Sequence, residues 1–218
     1  MKIHRLTIIV IIFCGLINLN LQCDKQDVLP PDYQYTFIEK FSISPYQLDY
    51  NVGDTLWLDF NVPGKKLFDQ KTNGRIFYDS ASFVISISVD LIFNDPFIAY
   101  PENARFVYEP GVSVTSQNYA EFTSQSITTG CSSSSDYKLH VGVILTRPGV
   151  FGVSVYAGTV QNCYTHYATP SELRVTLDIG DPHKAFYQSL PFINVGKIQD
   201  NSVLQNLDAK RTAIINVH

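Results

Sequence analysis

The sequence predicts an all-β protein, a two-sheet sandwich of about eight or nine strands, and three observations carry that expectation. Apolar residues recur with period two in run after run, Gly- and Pro-containing turns separate the runs, and no apolar stripe of helical period outlasts two turns. The chain has 218 residues, 45% hydrophobic and 17% charged, with 14 Phe and 13 Tyr, so it carries enough apolar surface to close a core. With 16 Lys plus Arg against 20 Asp plus Glu, the formal net charge is −4, and no bulk field exists to recruit a nucleic acid.

The clearest strand is 83–93, where Phe83, Ile85, Ile87, Val89, Leu91 and Phe93 alternate with Ser86, Ser88 and Asp90. The same alternation marks 137–146, 150–160 and 172–179, and earlier strands are expected at 35–44 and 54–62, with a last one at 212–217. Turn chemistry punctuates them: Asn51-Val52-Gly53-Asp54, Pro63-Gly64, Asn73-Gly74, Pro110-Gly111 and Pro148-Gly149. Arg147-Pro148-Gly149 is read as the turn of a hairpin joining 137–146 to 150–160. Two short helices are expected, one opening at Asp181-Pro182 and running to 189, the other from Ser202 to 207. A closed barrel is the alternative architecture.

The N-terminus carries an address. Lys2 and Arg5 precede an uncharged apolar run from Leu6 to Leu19, which has the layout of a secretory signal and is too short for a membrane span of about 20 residues. Next comes Leu19-Asn20-Leu21-Gln22-Cys23-Asp24-Lys25, a cysteine at the cleavage position followed by polar residues. This resembles the lipobox of bacterial lipoproteins, in the looser form of the Bacteroidetes type, with Asn20 and Gln22 where stricter boxes carry Leu and a small residue. The resemblance implies a lipoprotein signal peptide over 1–22, an acylated Cys23, and attachment to a cell-envelope membrane, the outer membrane in the first instance, on its periplasmic or surface face. The alternative is an ordinary secretory peptide with Cys23 as a further disulfide candidate. Residues 23–34 then form a polar tether stiffened by Pro30-Pro31, and 35–218 one sandwich domain.

Of four cysteines, Cys14 lies in the expected signal and Cys23 would carry the lipid that the resemblance implies, which leaves Cys131 and Cys163 as an even pair in an exported domain. A disulfide is the default there, with two free buried thiols as the alternative. Their midpoint falls on Arg147, so the expected hairpin would bring them together at its open end. Closing such a loop would stabilise by ~3.5 kcal/mol on the chain-entropy account.

Ser44-Pro45 and the stretch Tyr50-Asn51-Val52-Gly53-Asp54-Thr55-Leu56-Trp57-Leu58 resemble the opening strands of bacterial immunoglobulin-like domains, and Arg147 to Val155 resembles the Pro-Gly turn and aromatic-led strand near their end. The resemblance implies an immunoglobulin-like sandwich and no particular chemistry, although Trp57 falls on an early strand, not the third.

Catalytic grammar is sparse. The sequence contains no Gly-x-Ser-x-Gly elbow, no His-Glu-x-x-His, no phosphate loop and no EF-hand loop, and no cofactor is implied. His140 reads as a solvated or hydrogen-bonded imidazole, and Cys163 with His166 has zinc-ligand spacing that competes with the disulfide. Asp178, Asp181 and His183 form the one local cluster with cation-ligand chemistry, although a helix cap and a strand end also account for it. Tyr156, Tyr164 and Tyr167 are candidate platforms for a sugar ring, with rim tyrosines as the plain alternative. The function expected is a lipid-anchored envelope protein with a non-catalytic binding or structural domain. It would meet a membrane through its anchor, and a glycan or protein partner. The alternatives are a carbohydrate-recognition lipoprotein of an uptake system and an envelope hydrolase.

Overall fold

The computed structural model describes residues 34–93, 104–108, 113–118, 122–131, 134–164, 168–179, 182–190 and 201–218. The first strand, β1 (Thr36–Ser44), buries Phe37, Glu39, Phe41 and Ile43 and turns the intervening residues outward, as its period-two pattern requires. β3 (Thr55–Val62) buries Leu56, Leu58, Phe60 and Val62 in the same way, and β10 (Tyr137–Leu145) buries Leu139, Val141, Val143 and Leu145. With β7 (Ala104–Tyr108) and β13 (Ala168–Leu177) they make one layer, ordered β13-β1-β3-β10-β7, in which only the β13–β1 pair is parallel.

The facing layer runs β8 (Ser113–Asn118), β9 (Phe122–Gly130), β6 (Ala81–Phe93), β11 (Gly149–Ala157), β14 (Thr212–Val217) and β2 (Asp49–Tyr50). Phe83, Ile85, Ile87, Val153 and Val155 from this layer share one buried cluster with Phe37, Phe41, Leu58 and Phe60 from the other. Two sheets whose inner faces meet in one core make a sandwich, and the all-β expectation stands. β12 (Thr159–Asn162) pairs with β6 and with β13, so the hydrogen-bonded path crosses from one layer to the other along that edge. A hairpin of β4 (Lys66–Asp69) and β5 (Gly74–Phe77) hangs on β1 through the Phe37–Asp69 pair. Tyr137 ties it to the core: its hydroxyl donates to Tyr78 O, accepts the Ala81 N–H at 3.3 Å, and is pushed by burial to a pKa of about 12.

The far side of β14 is covered by two short helices, α1 (Pro182–Ser189) and α2 (Asn201–Asp208), which bury Tyr187 and Leu207 against Ile214 and Val150. Both begin within a residue of where the turn chemistry placed them.

Three expectations change. The described residues hold fourteen strands, not eight or nine, because β2, β4, β5 and β12 are only two to four residues long and β9 is a Ser/Thr strand with little apolar alternation. The strand expected over 150–160 ends at Ala157: Gly158 O accepts the Leu173 N–H at 2.8 Å, and the chain bends there into β12. Finally, β10 and β11 are not a hairpin. β10 pairs with β3 and β7, and β11 with β6 and β14, so the Arg147-Pro148-Gly149 turn arches between the layers. The arch buries the same inner faces as a hairpin would and differs in the neighbours to which each strand hydrogen-bonds.

The disulfide forms all the same, for a different reason. Cys131 follows β9 and Cys163 follows β12, and these two strands flank the start of β6, with Ser82 opposite Gly130 and Ala81 opposite Asn162. The cysteines therefore sit on either side of one strand end, their N–H groups donating to Ala81 O and Ser80 O, with Cα atoms 5.2 Å apart across the bond. Gly130 is required at this corner. It has φ +106°, and a Cβ there would lie 2.3 Å from Ala81 O.

Candidate functional site

β13 lies where the hydrogen-bonded path turns from β12 to β1, so one side of it belongs to the core and the other to the surface. Leu173, Val175 and Leu177 point inward, and Glu172, Arg174 and Thr176 alternate outward. Being two apart on one face, Glu172 and Arg174 meet: Arg174 Nη2 donates to Glu172 Oε1 at 2.6 Å.

Glu172 also lines two recesses. The first, of about 380 Å³, is formed by Tyr35 and Thr36 at the start of β1, Lys71 from the β4–β5 turn, Thr159 on β12 and Ser171. Backbone bonds fix its walls: Tyr35 N–H donates to Ser171 Oγ at 3.1 Å, Glu172 N–H donates to Tyr35 O at 3.1 Å, and Lys71 Nζ donates to Gln34 O. The Tyr35 ring is stacked on Phe37, with centroids 5.1 Å apart.

The second recess, of about 270 Å³, has Tyr156, Arg174 and Arg211 around it and Leu173 and Val175 beneath. Tyr156 is oriented by α2, since its hydroxyl accepts from Asn206 Nδ2 at 3.2 Å. The Arg211 main chain is held on both sides, its N–H donating to Asn206 O at 2.8 Å and its carbonyl accepting the Val155 N–H at 2.9 Å. Its guanidinium has no hydrogen-bond or carboxylate partner among the described residues. Together the recesses place Lys71, Arg174 and Arg211 around a single carboxylate, a basic strip on a chain of formal net charge −4. Both volumes sit near the lower bound of about 300 Å³ for small-molecule sites.

Of the three tyrosines singled out from sequence, Tyr156 lines a recess. Tyr164 stands 81% exposed beside the disulfide and lines neither, and Tyr167 lies outside the described residues. The Asp178, Asp181 and His183 cluster does not assemble in what is described. Asp178 is exposed and pairs with Lys40 at 3.7 Å, whereas His183 is buried, its Nδ1 donating to Ile214 O at 2.7 Å and its ring edge-on to Tyr46. Burial holds the His183 pKa below its ordinary value, and Asp181 lies outside the described residues. Among the described residues no group of three or more His, Cys, Asp or Glu is arranged for a metal ion, and Cys163 is committed to its disulfide. His166 and Cys23 are also outside the described residues.

Sequence reasoning missed the groove, because Glu172 and Arg174 are the polar alternation of one strand and nothing in the sequence links them to Lys71 or Arg211. It also missed a second cluster, on the outer face of β3 and β10. There His140 Nδ1 bonds Asp59 Oδ1, and its ring stacks on Trp57 at 4.4 Å and 7°. The indole lies over Gly142, where a Cβ would come within 2.8 Å of Trp57 Cζ3. Both clusters depend on strand register, which alternation alone does not fix.

No family model matches the chain, and no curated protein matches it. Among solved structures, a type II cohesin domain from the cellulosome of Acetivibrio cellulolyticus aligns over 63% of this chain and 91% of its own, at 8% identity and TM-score 0.32. A type II cohesin dyad from an adaptor scaffoldin of the same organism aligns over 64% of this chain at 7% identity and TM-score 0.32, and this chain spans 46% of its length. A non-cellulosomal cohesin from Archaeoglobus fulgidus aligns over 72% of this chain and the whole of its own, at 8% identity and TM-score 0.28. Likeness at these identities and scores assigns neither partner nor activity to this chain.

Proposed function

We propose that the protein is a lipid-anchored component of a bacterial cell envelope whose immunoglobulin-like sandwich is a non-catalytic binding or structural domain. Cys23 would be acylated after removal of residues 1–22, and residues 24–34 would hold the domain off the outer membrane, facing the periplasm or the surface. The observation that carries the reading is the Cys131–Cys163 disulfide, a bond kept by proteins that fold in oxidising compartments, behind an N-terminus with the layout of an export signal. A non-catalytic role is supported by the carboxylates. Glu39 and Asp69, both buried, serve backbone and arginine donors of the fold. The carboxyl raised by burial, Asp90, accepts a hydrogen bond from Ser88 on β6 and lines neither recess of the groove.

A second reading, carbohydrate recognition for an uptake system, is favoured by the polar groove along β13 with a tyrosine in each recess. The anchor is tested by metabolic labelling with an alkyne fatty acid and detergent partitioning of wild type and Cys23→Ala. Label and detergent-phase behaviour lost in the variant support the reading. An unlabelled, water-soluble wild type refutes it.

A further inference from the structure

We infer that the groove along β13 takes an acidic oligosaccharide, with Arg211 and Lys71 receiving anionic groups on neighbouring sugars and Glu172 accepting hydroxyls between them. The inference rests on the carbohydrate reading of the same groove and names the class of sugar. Its starting point is a repeat of chemistry. Each recess carries one tyrosine and at least one cation, Tyr35 with Lys71 in the first and Tyr156 with Arg174 and Arg211 in the second, and Glu172 stands in both. A ligand that repeats its own chemistry at short intervals matches two like recesses on either side of one carboxylate. A chain of acidic sugars is such a ligand, since each ring offers a flat apolar face, several hydroxyls and an anionic group.

The charge arrangement selects acid over neutral sugar. Arg174 is engaged by Glu172, but Arg211, a half-buried residue lining the second recess, has a guanidinium with no partner among the described residues. A planar fork of this kind suits a carboxylate or sulfate oxygen pair. Glu172 holds Arg174 through Oε1, and Oε2 has no donor among the described residues, so a sugar hydroxyl can donate to it. Thr36, Thr159 and Ser171 add hydroxyls along the first recess. The local excess of cations does what the net charge of −4 does not.

The test uses the full chain purified in detergent and calorimetric titration with tetragalacturonate, its neutral methyl ester, a sulfated tetrasaccharide of similar length, and polyglutamate. Binding of the carboxylated or the sulfated sugar, weakened by added salt, is expected. Arg211→Gln should weaken it about tenfold or more and Lys71→Gln by several-fold, with melting temperature and Trp57 emission unchanged. Which acidic sugar binds more tightly identifies the anionic group. Equal affinity for the methyl ester overturns acid selection while leaving the carbohydrate reading intact, and equal affinity for polyglutamate overturns sugar recognition. Unchanged affinity in both variants overturns the site, and no binding to either acidic sugar overturns the proposal. None of these outcomes bears on the lipid anchor, which Cys23→Ala tests separately.

Discussion

The β4–β5 hairpin and the groove along β13 flank the first residues of β1, and both are rich in charge, yet they dispose of it in opposite ways. On the hairpin side every carboxylate oxygen is used internally. Asp69 Oδ1 accepts the Thr36 N–H at 3.0 Å, Oδ2 accepts both the N–H and the hydroxyl of Thr72, and Glu39 takes the Phe68 N–H at 2.7 Å and Arg75 Nη1 at 3.0 Å. On the groove side Glu172 and Arg174 are about half exposed and bonded only to each other, and Arg211 has no side-chain partner among the described residues. Charge that closes on itself in a buried setting holds the chain in place. Charge left open at a rim contributes little to stability and is available to a ligand.

The sharpest way to break this contrast is Asp69→Ala. It removes the buried acceptor of the half-buried Thr36 N–H and of the N–H and hydroxyl of Thr72, three hydrogen bonds to one carboxylate, which should cost about 3 kcal/mol, or roughly 6 to 12 °C in melting temperature for a domain of this size. Calorimetric melting checks it, and a loss below about 1 kcal/mol would show that water replaces the carboxylate. Glu39→Gln keeps the shape but removes the charge facing Arg75, with an expected cost of about 1 to 2 kcal/mol by urea unfolding.

The long strands and their inward faces were legible in the sequence because one period carries them: Ile85 and Ile87, or Val141 and Val143, cannot lie otherwise without exposing a row of apolar side chains. The same reasoning misjudged pairing. Nothing in the alternation of 137–146 and 150–160 distinguishes a hairpin from an arch between layers, since both bury the same residues. The disulfide came out right by an argument from symmetry about Arg147 that the topology replaces with the two neighbours of β6. The groove was illegible for a related reason. Lys71, Glu172 and Arg211 are about 100 and 39 residues apart, and only the parallel β1–β13 pairing and the α2–β14 turn bring them together. Asp178 and His183 show the converse: five residues apart in sequence, they separate because β13 ends in solvent while the imidazole turns under the helix.

Acid sharpens the contrast further. Burial alone would raise the Asp69 carboxyl, but hydrogen bonds from Thr36, Thr72 and Lys71 outweigh it and hold the pKa below the ordinary 3.8. The ionised form is therefore favoured in the folded state. Its contribution is complete above 3.8 and is lost as pH falls through the lowered folded value, because the unfolded chain takes up the proton first. Urea midpoints of wild type should drop on this limb, and Asp69→Asn should flatten it. His183 acts in a different window: burial lowers its pKa from 6.5, so the neutral ring is the folded form and stability falls as pH drops below 6.5 toward the folded value. His183→Gln should remove that slope.

The smallest expected effect decides most about the groove. Arg211→Gln and Glu172→Gln should each change stability by no more than about 0.5 kcal/mol, because an exposed ion pair and a cation without a protein partner give up little on folding. Urea midpoints at neutral pH measure this directly. A cost above about 1 kcal/mol for Arg211→Gln would mean that its guanidinium clamps β11 to β13, as Asp69 clamps the hairpin to β1, and the recess would then be a by-product of packing. A silent substitution leaves a half-buried cation lining the recess that the fold does not use, and its charge is then available to a ligand.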